Sequence, residues 1–352
     1  MIYGAYGFTG RLVVEVALAR GHKPHLCGRD ETRVRALAEA HGLPWSAVDL
    51  GEGAELRAAL SDHEAVLHCA GPFSATFRPM ADACLETGTH YLDITGEIGV
   101  LEAAARRHET AQAQGVVVMP AVGFDVVPTD CTAKRLSDAL PGATHIDIAF
   151  CGVTKMTSGT ARSTVEGMKH QGAERVDGRI VPCPPASMTR MVPFQDKERH
   201  CVIVPWGDVS TAFHTTGIPN VRTWTALPRS NVKWIRLGGP LRPLLGSAPV
   251  QWALKRAVDR WVKGPPPELR ESGYSQIWGQ ARRGDETVTA TLSGPEAYAL
   301  TAEAAVRCVE RVLAGEAEPG FRTPAGAFGA ELIEDIEGVV AHPLERTGSS
   351  VQ

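Results

Sequence analysis

Met1-Ile-Tyr3-Gly4-Ala-Tyr6-Gly7-Phe8-Thr9-Gly10-Arg-Leu12-Val-Val-Glu-Val-Ala-Leu18 opens the chain. An apolar triplet, three glycines at three-residue spacing and a run of apolar residues at helical spacing predict a strand, a tight turn and a helix. Such a turn lets main-chain N–H groups and the positive end of the helix close on a diphosphate, which a Cβ at the glycines would hinder. Gly4, Gly7 and Gly10 are thus the expected cradle of a dinucleotide, with Tyr6, Phe8 and Thr9 beside it and the Thr9 hydroxyl near the phosphates. Only three residues precede Gly4, fewer than the five or six usual for a central strand, so a start upstream of Met1 stays open.

The rhythm continues outward. Apolar runs at His25–Cys27, Ala65–Cys69, His90–Ile94 and Val116–Met119 alternate with helical patterns at Thr32–His41 and Val100–Gln114. This predicts an α/β fold in which residues 1–125 form an N-terminal Rossmann domain with a doubly wound parallel sheet. After Pro120 the texture changes to Gly, Pro, Ser and Thr, with strand-like alternation at His145–Cys151, Cys201–Val204 and Thr223–Leu227. A hairpin is expected over Ser275–Leu292, turning at Arg283-Gly284-Asp285. Residues 126–294 are therefore expected to be a second α+β domain of mainly antiparallel sheet. The C-terminal helices of 295–338, Glu296–Leu313 and Pro324–Ile336, are expected to pack back on the first domain, and 339–352 to trail as a frayed tail.

Position along this framework assigns the remaining site residues. About twenty residues beyond the glycine loop, where an acid grips the ribose of NAD, stand Gly28 and Arg29. Gly28 leaves room for a 2′-phosphate and Arg29 offers it a planar cation, so NADP is expected in preference to NAD. The competing reading makes Arg29 a solvated charge and gives the ribose to Asp30. Asp49 is placed at the adenine, or else caps a helix. Ala70, Gly71, Pro72 and Phe73, ending the fourth strand, are expected to lie along the nicotinamide. Tyr91, Glu97 and Asp125, at two further strand ends, are candidates for the proton that accompanies hydride transfer. Against this, Tyr91 can be core and Asp125 a cap of the helix near Pro128. His68, within an apolar strand, is expected to be a satisfied core histidine.

Composition excludes several classes. With 36 Lys and Arg against 40 Asp and Glu, the net charge is −4, and no basic surface suggests nucleic acid. The eight cysteines show no C-x-x-C pair, so no metal is expected, and buried thiols in a reducing compartment point to the cytoplasm. No apolar run reaches the length of a membrane span, and no leader pattern precedes the first strand. No tyrosine is followed four residues later by lysine, which removes the Tyr-Lys acid of short-chain dehydrogenases. A thioester route has Cys131 as its sole near candidate.

Several separate blocks resemble the saccharopine dehydrogenase-like oxidoreductases, in particular the branch with the trans-acting enoyl reductases. They are Gly4-Ala-Tyr-Gly-Phe-Thr-Gly10, Cys27-Gly-Arg29, Cys69-Ala-Gly-Pro-Phe73, His90-Tyr-Leu-Asp-Ile-Thr-Gly-Glu97 and Gly123-Phe-Asp-Val-Val-Pro-Thr-Asp130. Ser158-Gly-Thr160 and Thr323-Pro-Ala325 are also similar. The resemblance implies an N-terminal NADP domain followed by a mixed domain that shapes the pocket for a small-molecule substrate. It leaves the substrate, which bears a C=N, C=O or C=C group, unidentified, and leaves a homo-oligomer open. Lys155 and Arg162, near Ser158-Gly-Thr160, are expected to hold a carboxylate or phosphate, or else to be solvated.

A different function is written in Asn231–Lys263, where seven basic residues accompany the single acid Asp259. Val250, Leu254, Val258 and Trp261 share a helical face, and peripheral membrane contact through 250–263 is the alternative reading, of a non-catalytic protein that retains a nucleotide fold. The plain counter-reading is a solvated helix with its apolar stripe on the core.

Overall fold

The computed structural model describes residues 1–152, 156–167, 171–237, 245–262, 264, 266 and 272–348. The chain divides into two compact units, Met1–Val127 with Tyr298–Gly329, and Pro128–Ala297 with Ala330–Gln352.

The first unit is built on a parallel sheet whose strands are nearly all buried, as hydrophobic runs flanked by helices require. The strands are β1 (Ile2–Tyr3), β2 (Leu26–Gly28), β3 (Trp45–Ala47), β4 (Ala65–His68), β5 (His90–Asp93) and β6 (Val117–Met119). With Gly320–Phe321 at one edge, their order is Gly320–Phe321, β6, β5, β4, β1, β2, β3, and every pairing is parallel. The order reverses between β1 and β4, which creates the crevice at the carboxyl ends of these strands where open α/β sheets take ligands. The connecting helices are α1 (Phe8–Ala19), α2 (Glu31–His41), α3 (Gly53–Ser61), α4 (Phe73–Thr87), α5 (Ile98–Ala105) and α6 (His108–Ala113). The last two replace the single helix expected over Val100–Gln114. The break at Arg106 and Arg107 frees the α6 start, where His108 Nδ1 accepts the Phe321 N–H at 3.2 Å.

The second unit carries a mixed sheet. After α7 (Val127–Ala139) come β7 (His145–Cys151), α8 (Ser158–Gly167), β8 (Gly172–Val176), β9 (Arg179–Cys183), β10 (Thr189–Pro193), β11 (Glu198–Ile203), α9 (Asp208–Thr216), β12 (Asn220–Ala226), α10 (Arg229–Leu237), β13 (Tyr274–Arg283) and β14 (Glu286–Pro295). The sheet runs β10, β11, β12, β7, β13, β14, Val340–Ala341, and only β12 with β7 is parallel within that path. The β13–β14 hairpin turns through Gly284 at φ +56°, as the Gly-Asp pair predicts. Two expectations need correction. The helix expected over Pro324–Ile336 is Pro324–Phe328, ended by Gly329 at φ +83°, and a 3-10 turn at Ala330–Ile333. The segment expected to fray pairs with β14 through Glu345–Thr347, because an open strand edge offers N–H and C=O groups that a following chain satisfies.

Candidate active site

The glycine loop closes tightly on its neighbours. Gly4 has φ +80°, and a Cβ there would stand 2.9 Å from the Ala70 Cβ, so the loop packs directly on the turn after β4. At Gly10 a Cβ would strike the Gly4 carbonyl oxygen. Gly7 is the N-cap of α1, which has no side-chain cap and no acid in its first turn. Helix geometry leaves first-turn N–H groups without intrahelical acceptors, so α1 presents donors and a positive dipole end to an anion.

The helices flanking α1 at the switch point are closed in this respect. Asp30 caps α2, its Oδ1 accepting the Arg33 N–H at 3.1 Å. At α4 the carboxylate of Glu97 accepts the Phe73 N–H at 3.0 Å and the Ser74 N–H at 2.9 Å. The helix start behind the glycines has no capping side chain of its own and no acid in its first turn. These residues fit the diphosphate of a dinucleotide: glycines at which a Cβ would crowd the loop backbone, at the positive end of a helix.

The structure corrects the space predicted at Gly28. The Tyr6 ring lies against it, since a Cβ on Gly28 would meet Tyr6 Cε1 at 2.5 Å. The Tyr6 hydroxyl accepts the Asp30 N–H at 3.2 Å, and the Arg33 guanidinium stacks 4.5 Å above the ring. Arg11 Nε donates to the Tyr6 carbonyl at 3.2 Å. Arg29 is exposed and, among the described residues, has no ion-pair or hydrogen-bond partner. Two arginines, Arg11 and Arg33, thus contact Tyr6 beside the expected ribose position, and neither was anticipated. The signal for Arg33 was available: it lies in the first turn of the helix that Asp30 caps. Asp49 is exposed and accepts the Gly51 N–H at 2.8 Å, while Glu52 is the N-cap of α3. Asp49 thus closes the turn before α3 and does not occupy its N-cap position.

The turn Ala70-Gly71-Pro72-Phe73 is pinned at both ends. Thr76 Oγ1 donates to the carbonyls of Ala70, at 2.8 Å, and Pro72, at 3.1 Å, and Glu97 holds the amides that follow. Glu97, expected as a proton donor, is engaged in fixing this turn. Tyr91 is fully buried in the core with Tyr3, Val66 and Phe77. Its hydroxyl donates to Asp93 Oδ2 at 2.5 Å, and burial raises its pKa well above 10. A phenol so placed has no exposed surface and is held by Asp93.

Asp93, quoted above only as part of a block, organises this region. It is wholly buried, and Oδ1 accepts from the Thr95 and Ala121 amides, both at 2.9 Å. Burial lifts its pKa to about 6, against the opposing pull of the Tyr91 hydroxyl and these amides. Its main-chain carbonyl also takes the Val122 N–H at 2.8 Å. Ala121 adopts φ +62°, an uncommon conformation for a residue with a Cβ, and the loop it begins is held further on by Thr301 Oγ1, which accepts the Phe124 N–H at 3.0 Å.

That loop delivers Asp125. The carboxylate lies over Gly96, where a Cβ would come within 2.6 Å of Oδ2. Among the described residues it accepts no hydrogen bond and forms no ion pair, so none of them shows it capping α7, and desolvation raises its pKa to about 6. His68 is likewise buried, as expected of a core histidine, but neither ring nitrogen has a partner. Tyr3 and Phe73 surround it, with ring centroids 5.4 Å away, and desolvation lowers its pKa to about 3, which leaves the imidazole neutral. In the second unit Thr157 Oγ1 accepts the Thr160 N–H at 3.2 Å at the start of α8, which also carries Arg162. Cys131 is buried, and Lys155 lies outside the described residues.

A parallel sheet with a reversal beside a glycine-lined helix start defines a dinucleotide-binding domain. Residues 1–119 match the family model of the "Saccharopine dehydrogenase NADP binding domain". It is 34% identical over 144 residues to "Trans-acting enoyl reductase" of Mycobacterium leprae, covering 39% of this chain and 34% of that protein. It is 27% identical over 201 residues to "Saccharopine dehydrogenase-like oxidoreductase" of Mus musculus, covering 50% and 47%. The matched regions thus span a third to about half of these relatives. In fold, the chain is similar to apo saccharopine dehydrogenase (L-Glu forming) from Saccharomyces cerevisiae, with a TM-score of 0.65, 13% identity and 99% of each chain covered.

Proposed function

We propose that the chain is an NADP-dependent oxidoreductase of the saccharopine dehydrogenase-like type, acting on a C=N, C=O or C=C group of a small molecule. The observation that carries this is the crowding at Gly4 and Gly10, where the loop before α1 admits no Cβ, at a crevice formed by the reversal of strand order. NADPH, when bound, supplies the hydride. The first-turn amides of α1 hold its diphosphate, Arg29 and Arg33 face its 2′-phosphate, and the Ala70–Phe73 turn, fixed by Thr76 and Glu97, supports the nicotinamide. Asp125 serves the proton: a lone carboxylate with a pKa of about 6 changes state near neutral pH, as an acid or base in catalysis must. Tyr91 and Asp93 act as positioning residues for its loop.

Titration of nucleotide fluorescence tests this. Wild type should bind NADPH at least tenfold more tightly than NADH, and Arg29→Ala should remove most of that preference. Equal affinities in the wild type would refute the NADP assignment. Eight free cysteines, seven of them buried, favour a reducing, cytoplasmic setting.

A second reading draws on Trp252 and Trp261, which are 61% and 75% exposed on the helix Ala248–Trp261. Arg256 stacks on Trp252 at 4.7 Å. Exposed indoles among cations suit the headgroup layer of a membrane, while Val250, Leu254 and Val258 are half-buried and follow the solvated-helix reading. Among the described residues no helix is long and apolar enough to cross a membrane. Peripheral contact predicts salt-sensitive flotation with anionic vesicles. Unchanged flotation after Trp252→Ala and Trp261→Ala would remove it.

A further inference from the structure

A cavity of about 340 Å³ opens on the second unit, lined by Thr189, His200, Arg229, Val232, Lys233 and Arg236. Four of the six are basic and none is acidic, in a chain whose acids outnumber its Lys and Arg by 40 to 36. Arg229, Lys233 and Arg236 fall at i, i+4 and i+7 of α10 and so share one helical face. Like charges at this spacing repel and weaken a helix, and among the described residues neither Arg229 nor Lys233 has an ion-pair partner to offset it. The opposite wall is the face of β10 and β11 that carries Thr189 and His200, set there by the pairing of Thr189 with Val202 and of Met191 with His200. Val232, nearly buried with Ala186 and Val202, closes the floor.

Part of the lining is already fixed in place. Arg236 Nε donates to the Ala186 carbonyl at 2.7 Å, and Nη2 to that of Ser187 at 3.3 Å. His200 Nδ1 donates to the Leu227 carbonyl at 3.0 Å, which fixes the ring in the wall of the groove. Held donors lose less freedom when an anion arrives.

We propose that this groove is a binding site for the phosphate of a phosphate ester. Three permanent cations, two with planar guanidinium forks, together with a free hydroxyl, match a multiply charged tetrahedral oxyanion. The volume leaves space for the organic part of the ester, against the Val232 floor. Nothing in this site depends on the dinucleotide reading, since all its residues belong to the second unit.

Calorimetric titration of the full chain with inorganic pyrophosphate tests the site, using wild type, Arg229→Gln/Lys233→Gln and Arg29→Ala. A second arm measures cosedimentation with phosphatidylcholine vesicles containing phosphatidic acid. Wild type and Arg29→Ala should bind pyrophosphate saturably and with strong salt dependence. The double variant should bind at least tenfold more weakly, with unchanged NADPH affinity and circular dichroism. Vesicle binding lost in the double variant, without pyrophosphate binding, supports the same phosphate chemistry with a lipid headgroup as its source. Pyrophosphate binding that is equal in wild type and double variant, or absence of binding to both probes, overturns the proposal. Loss of NADPH preference bears on the first unit alone.

Discussion

Replacing Asp125 with asparagine should make the protein more stable at neutral pH, and by an amount the structure allows to be worked out. Burial without a partner moves this carboxyl from an ordinary value of 3.8 to about 6. At about 1.4 kcal/mol for each tenfold change in a proton equilibrium, the ionised form is some 3 kcal/mol less favourable in the fold than in water. The carboxylate is only half-buried, and solvent screening reduces this to about 2 kcal/mol. Because the folded value is the raised one, the unfolded chain ionises first. Stability from this group is full below pH 3.8, declines as pH rises, and is lost once pH passes about 6. Asp125→Asn should therefore be stabilising by about 2 kcal/mol at pH 7.5 and by almost nothing at pH 4. Urea denaturation of both proteins at the two pH values measures the difference. A gain of the same size at both, or no gain at pH 7.5, would show that the carboxylate is not held ionised against desolvation, and its assignment as the proton group would fall with it. The two readouts should move in opposite directions, since loss of a general acid or base costs about 10²- to 10⁴-fold in rate.

Two further substitutions probe the cofactor crevice. Gly10→Ala drives a methyl into the Gly4 carbonyl and should destabilise by about 1–3 kcal/mol while abolishing measurable NADPH binding. Gly21→Ala is the control: at φ +85° with nothing within 4 Å of the new Cβ, it should cost about 1–2 kcal/mol and leave binding intact. Identical nucleotide affinities for the two variants would contradict the cradle. Glu97→Ala removes two charge-assisted bonds to the α4 amides and should cost about 1–2 kcal/mol. It should also weaken NADPH binding severalfold by loosening the Ala70–Phe73 turn, with Glu97→Gln intermediate. An unaltered affinity in Glu97→Ala would count against the support role.

The fold was legible where a single periodicity governs a segment. β4, β5 and β6 are apolar because both faces of the sheet are covered, and the β13–β14 hairpin follows from alternation about Gly284-Asp285. It was less legible where tertiary partners decide. Helical patterns ran on past Arg106 and past Phe328, but His108 is drawn to Phe321 and Gly329 leaves the helical region, and neither event has a local signature. Glu345–Thr347 read as a polar tail because its partner, the edge of β14, is some sixty residues away.

The site divides along the same line. The glycines were readable because their requirement is local: a backbone that must turn within seven residues. Glu97 and Asp125 carried identical signals, acids just beyond strand ends, yet received opposite environments. Glu97 meets two unpaired amides of α4 and becomes a structural anion, while Asp125 meets only the bare face of Gly96 and keeps a displaced pKa. What separates them is the path of the Ala121–Phe124 loop, fixed by Asp93 below and by Thr301 about 180 residues along the chain. One acid therefore keeps a displaced pKa because it lacks the partner its neighbour receives. That lack is a property of packing, which a motif cannot record: substituting Thr301 should alter the pH behaviour of Asp125 without touching a single residue of the Gly123-Phe-Asp-Val-Val-Pro block.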